Sequence, residues 1–87
     1  METVRIIGTS ARIFSLEEVG EGYTLTCKAA ADITVHMRLK LGKKVTAASA
    51  VDENGNRIAV ACDWDADTST VLLTFPSTNA MTTVILK

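Results

Sequence analysis

Ile33-Thr34-Val35-His36-Met37-Arg38-Leu39-Lys40-Leu41 decides the reading of this chain. Apolar side chains at 33, 35, 37, 39 and 41 alternate with Thr34, His36, Arg38 and Lys40. A strand sends successive side chains to opposite faces, so the run describes one buried face and one wet face. The same period of two returns in Tyr23, Leu25, Cys27 and Ala29 against Thr24, Thr26 and Lys28. It returns again in Val71, Leu73 and Phe75. No stretch carries a sustained helical period.

Working outward, strands are expected near Val4–Ile7, Ala11–Leu16, Gly22–Ala29, Ile33–Leu41, Val45–Asp52, Arg57–Trp64, Thr70–Phe75 and Met81–Leu86. The breaks carry turn chemistry. Gly8-Thr9-Ser10 and Gly20-Glu21-Gly22 offer positive φ and local hydroxyl bonds. Asn54-Gly55-Asn56 predicts a type I′ hairpin with Asn and Gly at its centre. Asp65-Ala66-Asp67-Thr68 and Pro76-Ser77-Thr78-Asn79 each predict a further hairpin, with the single proline outside every strand. Ser15–Val19 reads as a single helical turn or a loop, with Ser15 as N-cap, Glu18 at the capping-box spacing and Gly20 as the stop.

Short strands joined by tight turns, without βαβ alternation, argue an all-β sandwich or barrel of antiparallel strands. The expected architecture is an antiparallel two-sheet β-sandwich of about seven or eight short strands, immunoglobulin-like in plan. The alternation places Leu25, Cys27, Val35, Met37, Leu39, Val60, Leu73 and Ile85 inside, and Thr34, His36, Arg38 and Lys40 outside.

Eighty-seven residues make one domain (1–87), expected to be part of a larger protein. Nine Lys plus Arg against ten Asp plus Glu give a net charge of −1, which is no footprint for a polyanion and argues against nucleic acid. No apolar run approaches the ~18 residues of a membrane span, and Glu2 and Arg5 break any secretory signal pattern.

His36 is the only histidine and shares the outward face with Arg38 and Lys40. A general base needs an orienting partner and a pocket; cationic neighbours provide neither. Asp63, Asp65 and Asp67 have the spacing that opens a calcium loop, which makes them the candidate metal ligands. Thr68 stands where the loop glycine belongs, however, and Thr74 where the bidentate glutamate belongs. The bland alternative is a hairpin whose aspartates bond nearby amides. Trp64 lies among them and is the candidate sugar-stacking residue, although its phase with Val60 and Cys62 also suits the core. Cys27 and Cys62 both fall on apolar faces. Their spacing permits an inter-sheet bridge and equally permits two free thiols. No motif for a catalytic nucleophile, phosphate loop or cofactor is present, so no enzyme and no cofactor are expected.

Gly42-Lys43-Lys44-Val45-Thr46-Ala47-Ala48, Asn54-Gly55-Asn56, Cys62-Asp63-Trp64-Asp65, Val71-Leu72-Leu73-Thr74-Phe75-Pro76 and Thr83-Val84-Ile85-Leu86-Lys87 form a strand-and-turn pattern over the second half of the chain. This pattern resembles the all-β domain that closes many bacterial glycoside hydrolases of the α-L-fucosidase-like and α-galactosidase-like families. The resemblance implies a non-catalytic accessory module partnered by a neighbouring catalytic or structural domain of the same chain. A carbohydrate-binding module, with or without calcium, is the alternative.

Overall fold

The computed structural model describes residues 5–87. Among them run nine strands: β1 (Arg5–Thr9), β2 (Arg12–Val19), β3 (Gly22–Lys28), β4 (Thr34–Lys40), β5 (Ala48–Asp52), β6 (Arg57–Ile58), β7 (Ala61–Asp65), β8 (Thr70–Pro76) and β9 (Thr82–Leu86). They form two antiparallel sheets, ordered β1-β4-β8-β7 and β2-β3-β9-β5-β6. The sheets close on one another over a shared apolar interior, and the fold is all-β as the alternation requires. The proposed start of the first strand at Val4 lies outside the described residues.

The interior is built by the expected phases. Tyr23, Leu25 and Cys27 of β3 meet Val35, Met37 and Leu39 of β4 and Val71, Leu73 and Phe75 of β8, all buried. Each full burial of a Leu or Val side chain contributes roughly 1.5–3 kcal/mol. Thr34, His36 and Lys40 are exposed, while Arg38 is half-buried because its guanidinium donates to the Thr70 hydroxyl at 2.9 Å. Val60 is partly buried and packs on the core.

Ile85 departs from expectation. Val84 and Leu86 are buried, whereas Ile85 is 39% exposed on the outer face. Val84-Ile85-Leu86 is apolar at every position, so alternation cannot fix its phase; pairing does, since Leu25 sits opposite Val84 and Thr24 opposite Ile85.

Four local expectations are also corrected. Ser15–Val19 forms no helical turn but extends β2 to Val19, where a two-residue loop with Gly20 at φ +60° returns the chain into β3. Tertiary pairing overrides the weak capping signal. Asn54-Gly55-Asn56 does not centre a two-residue turn: Asp52 N–H donates to Asn56 C=O at 3.0 Å, closing a three-residue loop whose positive φ falls on Gly55. Arg57–Trp64 is not one strand, because the chain crosses between sheets at Ala59-Val60. Finally, Pro76 is the last residue of β8 and opens a crossover, not a hairpin, since β8 and β9 belong to different sheets.

The two short crossovers shape the molecule. Ser10-Ala11 joins β1 to β2, each the terminal strand of its sheet, and Ala59-Val60 joins β6 to β7 at the opposite flank.

Candidate functional site

Strand β7 separates the sequence-selected residues. Trp64 lies opposite buried Val71 and packs on the core, while Asp63 and Asp65 are exposed on the other face of the same strand. Asp67 lies in the β7–β8 turn, where its backbone N–H donates to Asp65 Oδ1 at 3.0 Å. The indole and the carboxylates are therefore not brought onto one surface. Among the described residues, no three His, Cys, Asp or Glu side chains are grouped as a metal ion would require.

Cys27 in β3 and Cys62 in β7 belong to different sheets and are free thiols. Burial raises the pKa of both, and the neighbouring Asp63 carboxylate adds to the effect at Cys62. Neither has the electropositive surroundings that make a reactive thiolate.

The outer face of the four-stranded sheet is ordered by charge. Its rows across β4, β8 and β7 are Lys40–Thr70–Asp65, Arg38–Leu72–Asp63 and His36–Thr74–Ala61. A basic strand and an acidic strand thus flank a neutral one, about 10 Å apart at ordinary strand spacing. Arg38 reaches toward the middle through Thr70, whose hydroxyl also lies 2.8 Å from that of Thr68. His36 is exposed on this face with Thr74 and Ala61 as its row neighbours.

The outer face of the five-stranded sheet is different in kind. Two rows cross it: Glu17–Thr24–Ile85–Ser49, and Ser15–Thr26–Thr83–Val51–Arg57. In these two rows the three middle strands present only Thr, Ser, Val and Ile; charge stands on the edge strands and at Lys28, which ends β3 opposite Arg12. Ile85 lies at the centre and lines two open depressions of about 550 and 660 Å³. The first also holds Val51, Thr83 and Arg57, the second Val19, Thr24 and Lys44. The sequence reading missed this surface because it took Ile85 as core and the threonines as ordinary wet faces. The available signal was the unbroken apolar run 84–86, since a strand covered on both faces loses its alternation.

Lys43 ties the segment before β5 to the end of the β2–β3 hairpin. Its ammonium pairs with Glu18, donates to Gly20 C=O at 3.1 Å and sits over the Tyr23 ring at 5.5 Å. Its backbone N–H donates to the Tyr23 hydroxyl at 3.2 Å, which satisfies a buried phenol.

The chain matches no family model and finds no significant match among curated proteins or solved structures.

Proposed function

We propose that this protein is a non-catalytic β-sandwich module that packs against a neighbouring folded domain through the outer face of its five-stranded sheet. The observation that carries the reading is the distribution of charge on that face. Its middle is neutral and β-branched around Ile85, while Glu17, Arg57 and, at the end of β3, Lys28 stand around it. A neutral centre with charge confined to the margin is the anatomy of a protein–protein contact. The opposite face of the sandwich carries both charge signs in ordered rows and suits solvent.

The occupant we favour is a protein surface, because the two depressions beside Ile85 are open to solvent rather than enclosed. The resemblance of the second half of the chain to the closing domain of glycoside hydrolases makes a catalytic domain of the same chain the natural neighbour. In that role the module stabilises its neighbour and performs no chemistry.

The test has two arms. In a parent chain containing both domains, Ile85→Arg should expose the junction to limited proteolysis while leaving the isolated module's thermal midpoint unchanged. The isolated module, titrated with oligosaccharides or calcium and followed by Trp64 fluorescence and amide shifts, should show no saturable micromolar binding. Such binding with shifts at Asp63–Thr68 would replace this reading with that of a carbohydrate-binding module.

A further inference from the structure

Strand β2 is the longest edge in the molecule. It spans eight residues, Arg12–Val19, and no described strand lies on its outer side. β2 carries no lysine or proline; its edge devices are a bulge between Ile13 and Ser15 and the charges Arg12, Glu17 and Glu18, so any pairing along it must match those charges. The flank it belongs to is also the most apolar part of the surface. Of seven exposed large apolar side chains among the described residues, four lie there: Ile6 and Ile7 on β1, and Phe14 and Val19 on β2.

The β2 edge is complementary to itself. Its pairing with β3 fixes which way each residue faces. Arg12, Ser15 and Glu17 oppose Lys28, Thr26 and Thr24 on the outer face, while Ile13 and Leu16 oppose buried Cys27 and Leu25 on the inner one. Now let a second copy lie antiparallel along this edge, with the two-fold axis at Ser15. Arg12 then stands opposite Glu17 of the second copy on the outer face, and Ile13 stands opposite its Leu16 on the inner face. Directly opposed residues in an antiparallel pair point the same way. With bulged Phe14 left out of the ladder, the two charged matches are therefore cation to anion, the two inner matches are apolar to apolar, and Ser15 meets itself at the axis. Moving the axis to Leu16 sets Arg12 against Val19 and Ile13 against Glu18, which loses both.

From this we infer that β2 is a self-association seam that joins two copies of the chain into one continuous ten-stranded sheet. The backbone groups on the free edge supply hydrogen bonds, and the charge pattern selects the register. Phe14 occupies the bulge next to the axis, half exposed beneath the Arg12 guanidinium at 5.2 Å. The same two-fold draws the two β1 strands toward the seam, which covers Ile6 and Ile7. The Ile85 surface is left free, so the seam stands whether or not that surface has a partner.

Charge exchange tests this directly. Sedimentation equilibrium of the intact protein should show a monomer–dimer equilibrium. Arg12→Glu and Glu17→Arg should each weaken the dimer about tenfold or more, because each puts two like-charged pairs across the seam. The double variant R12E/E17R should recover affinity to within about threefold of the unmodified chain. All four proteins should keep the same thermal midpoint at monomer concentrations. Amide shifts on dilution should concentrate in Arg5–Thr9 and Arg12–Val19, with cross-copy Ser15–Ser15 contacts in isotope-filtered spectra. A monomer at about millimolar concentration, a double variant no better than the singles, or dilution shifts centred on Thr24, Ser49 and Ile85 would each overturn the seam.

Discussion

Asp52 grips Asn56 twice: its carboxylate accepts the Asn56 backbone N–H at 2.9 Å through Oδ1 and the Asn56 side-chain amide at 3.1 Å through Oδ2. The Asn54 N–H donates to the same Oδ1 at 2.9 Å. One carboxylate therefore organises the whole β5–β6 loop. The backbone bond from Asn56 is the leading reason that its pKa falls below the ordinary 3.8; burial opposes this, and the Asn56 amide, Thr78 and Asn54 reinforce it.

A depressed folded-state pKa fixes the sign of a pH effect. The Asp52 contribution is complete at neutral pH, begins to fade as the pH approaches the unfolded-state value, and is lost once the pH falls below the folded-state value. Asp52→Asn should therefore lower the urea midpoint at pH 7 and converge on the parent protein in strong acid. A constant difference across the acid range would assign the loss to shape and not to charge.

Gly22 should tolerate no side chain. A Cβ there would lie 2.0 Å from the backbone oxygen of Leu86, where β3 and β9 draw together, and a carbonyl cannot step aside. Gly22→Ala should cost about 2 kcal/mol or more by denaturant midpoint, with the slope unchanged. A neutral result would mean that β9 can slide away from β3.

Leu39 and His36 lie on opposite faces of one strand and should behave accordingly. Leu39→Ala removes a wholly buried side chain and should cost about 2–5 kcal/mol. His36→Ala should change stability by no more than about 0.5 kcal/mol. A costly His36 variant would reveal a role for its ring beyond the solvated face.

The two thiols should separate kinetically. Cys62 is half-buried and Cys27 fully buried, with both pKa values raised, so a disulfide reagent at neutral pH should label Cys62 slowly and Cys27 only through unfolding. Raising the pH should accelerate Cys62, because more of it becomes thiolate. Equal rates at both sites would show that β3 opens far more readily than its central position suggests.

The strand phases of β3, β4 and β8 were legible because each has one wet face, so polar residues mark every second position. The same reasoning failed at Val84-Ile85-Leu86, where the outer face is apolar too and periodicity carries no information. It also ran β6 and β7 together. Ile58, Val60, Cys62 and Trp64 keep one phase across the corner, because a chain that switches sheets still turns the same side inward. Position in the order of strands is set by long-range pairing, which local pattern does not encode. The Ile85 surface was invisible for that reason: its residues come from separate strands and acquire meaning only side by side.

The last of the nine described strands in sequence order is the middle strand of its sheet. β9 pairs with β3 on one side and β5 on the other, and nothing else links those two strands. A ribosome making this chain at about 5–20 residues per second delivers Thr82–Leu86 after the other eight described strands. Until then β2–β3 and β5–β6 are two separate hairpins whose Leu25 and Ala50 lack their common neighbour Val84. The five-stranded sheet therefore waits in two parts, and it closes only when Thr82–Leu86 has emerged to join them.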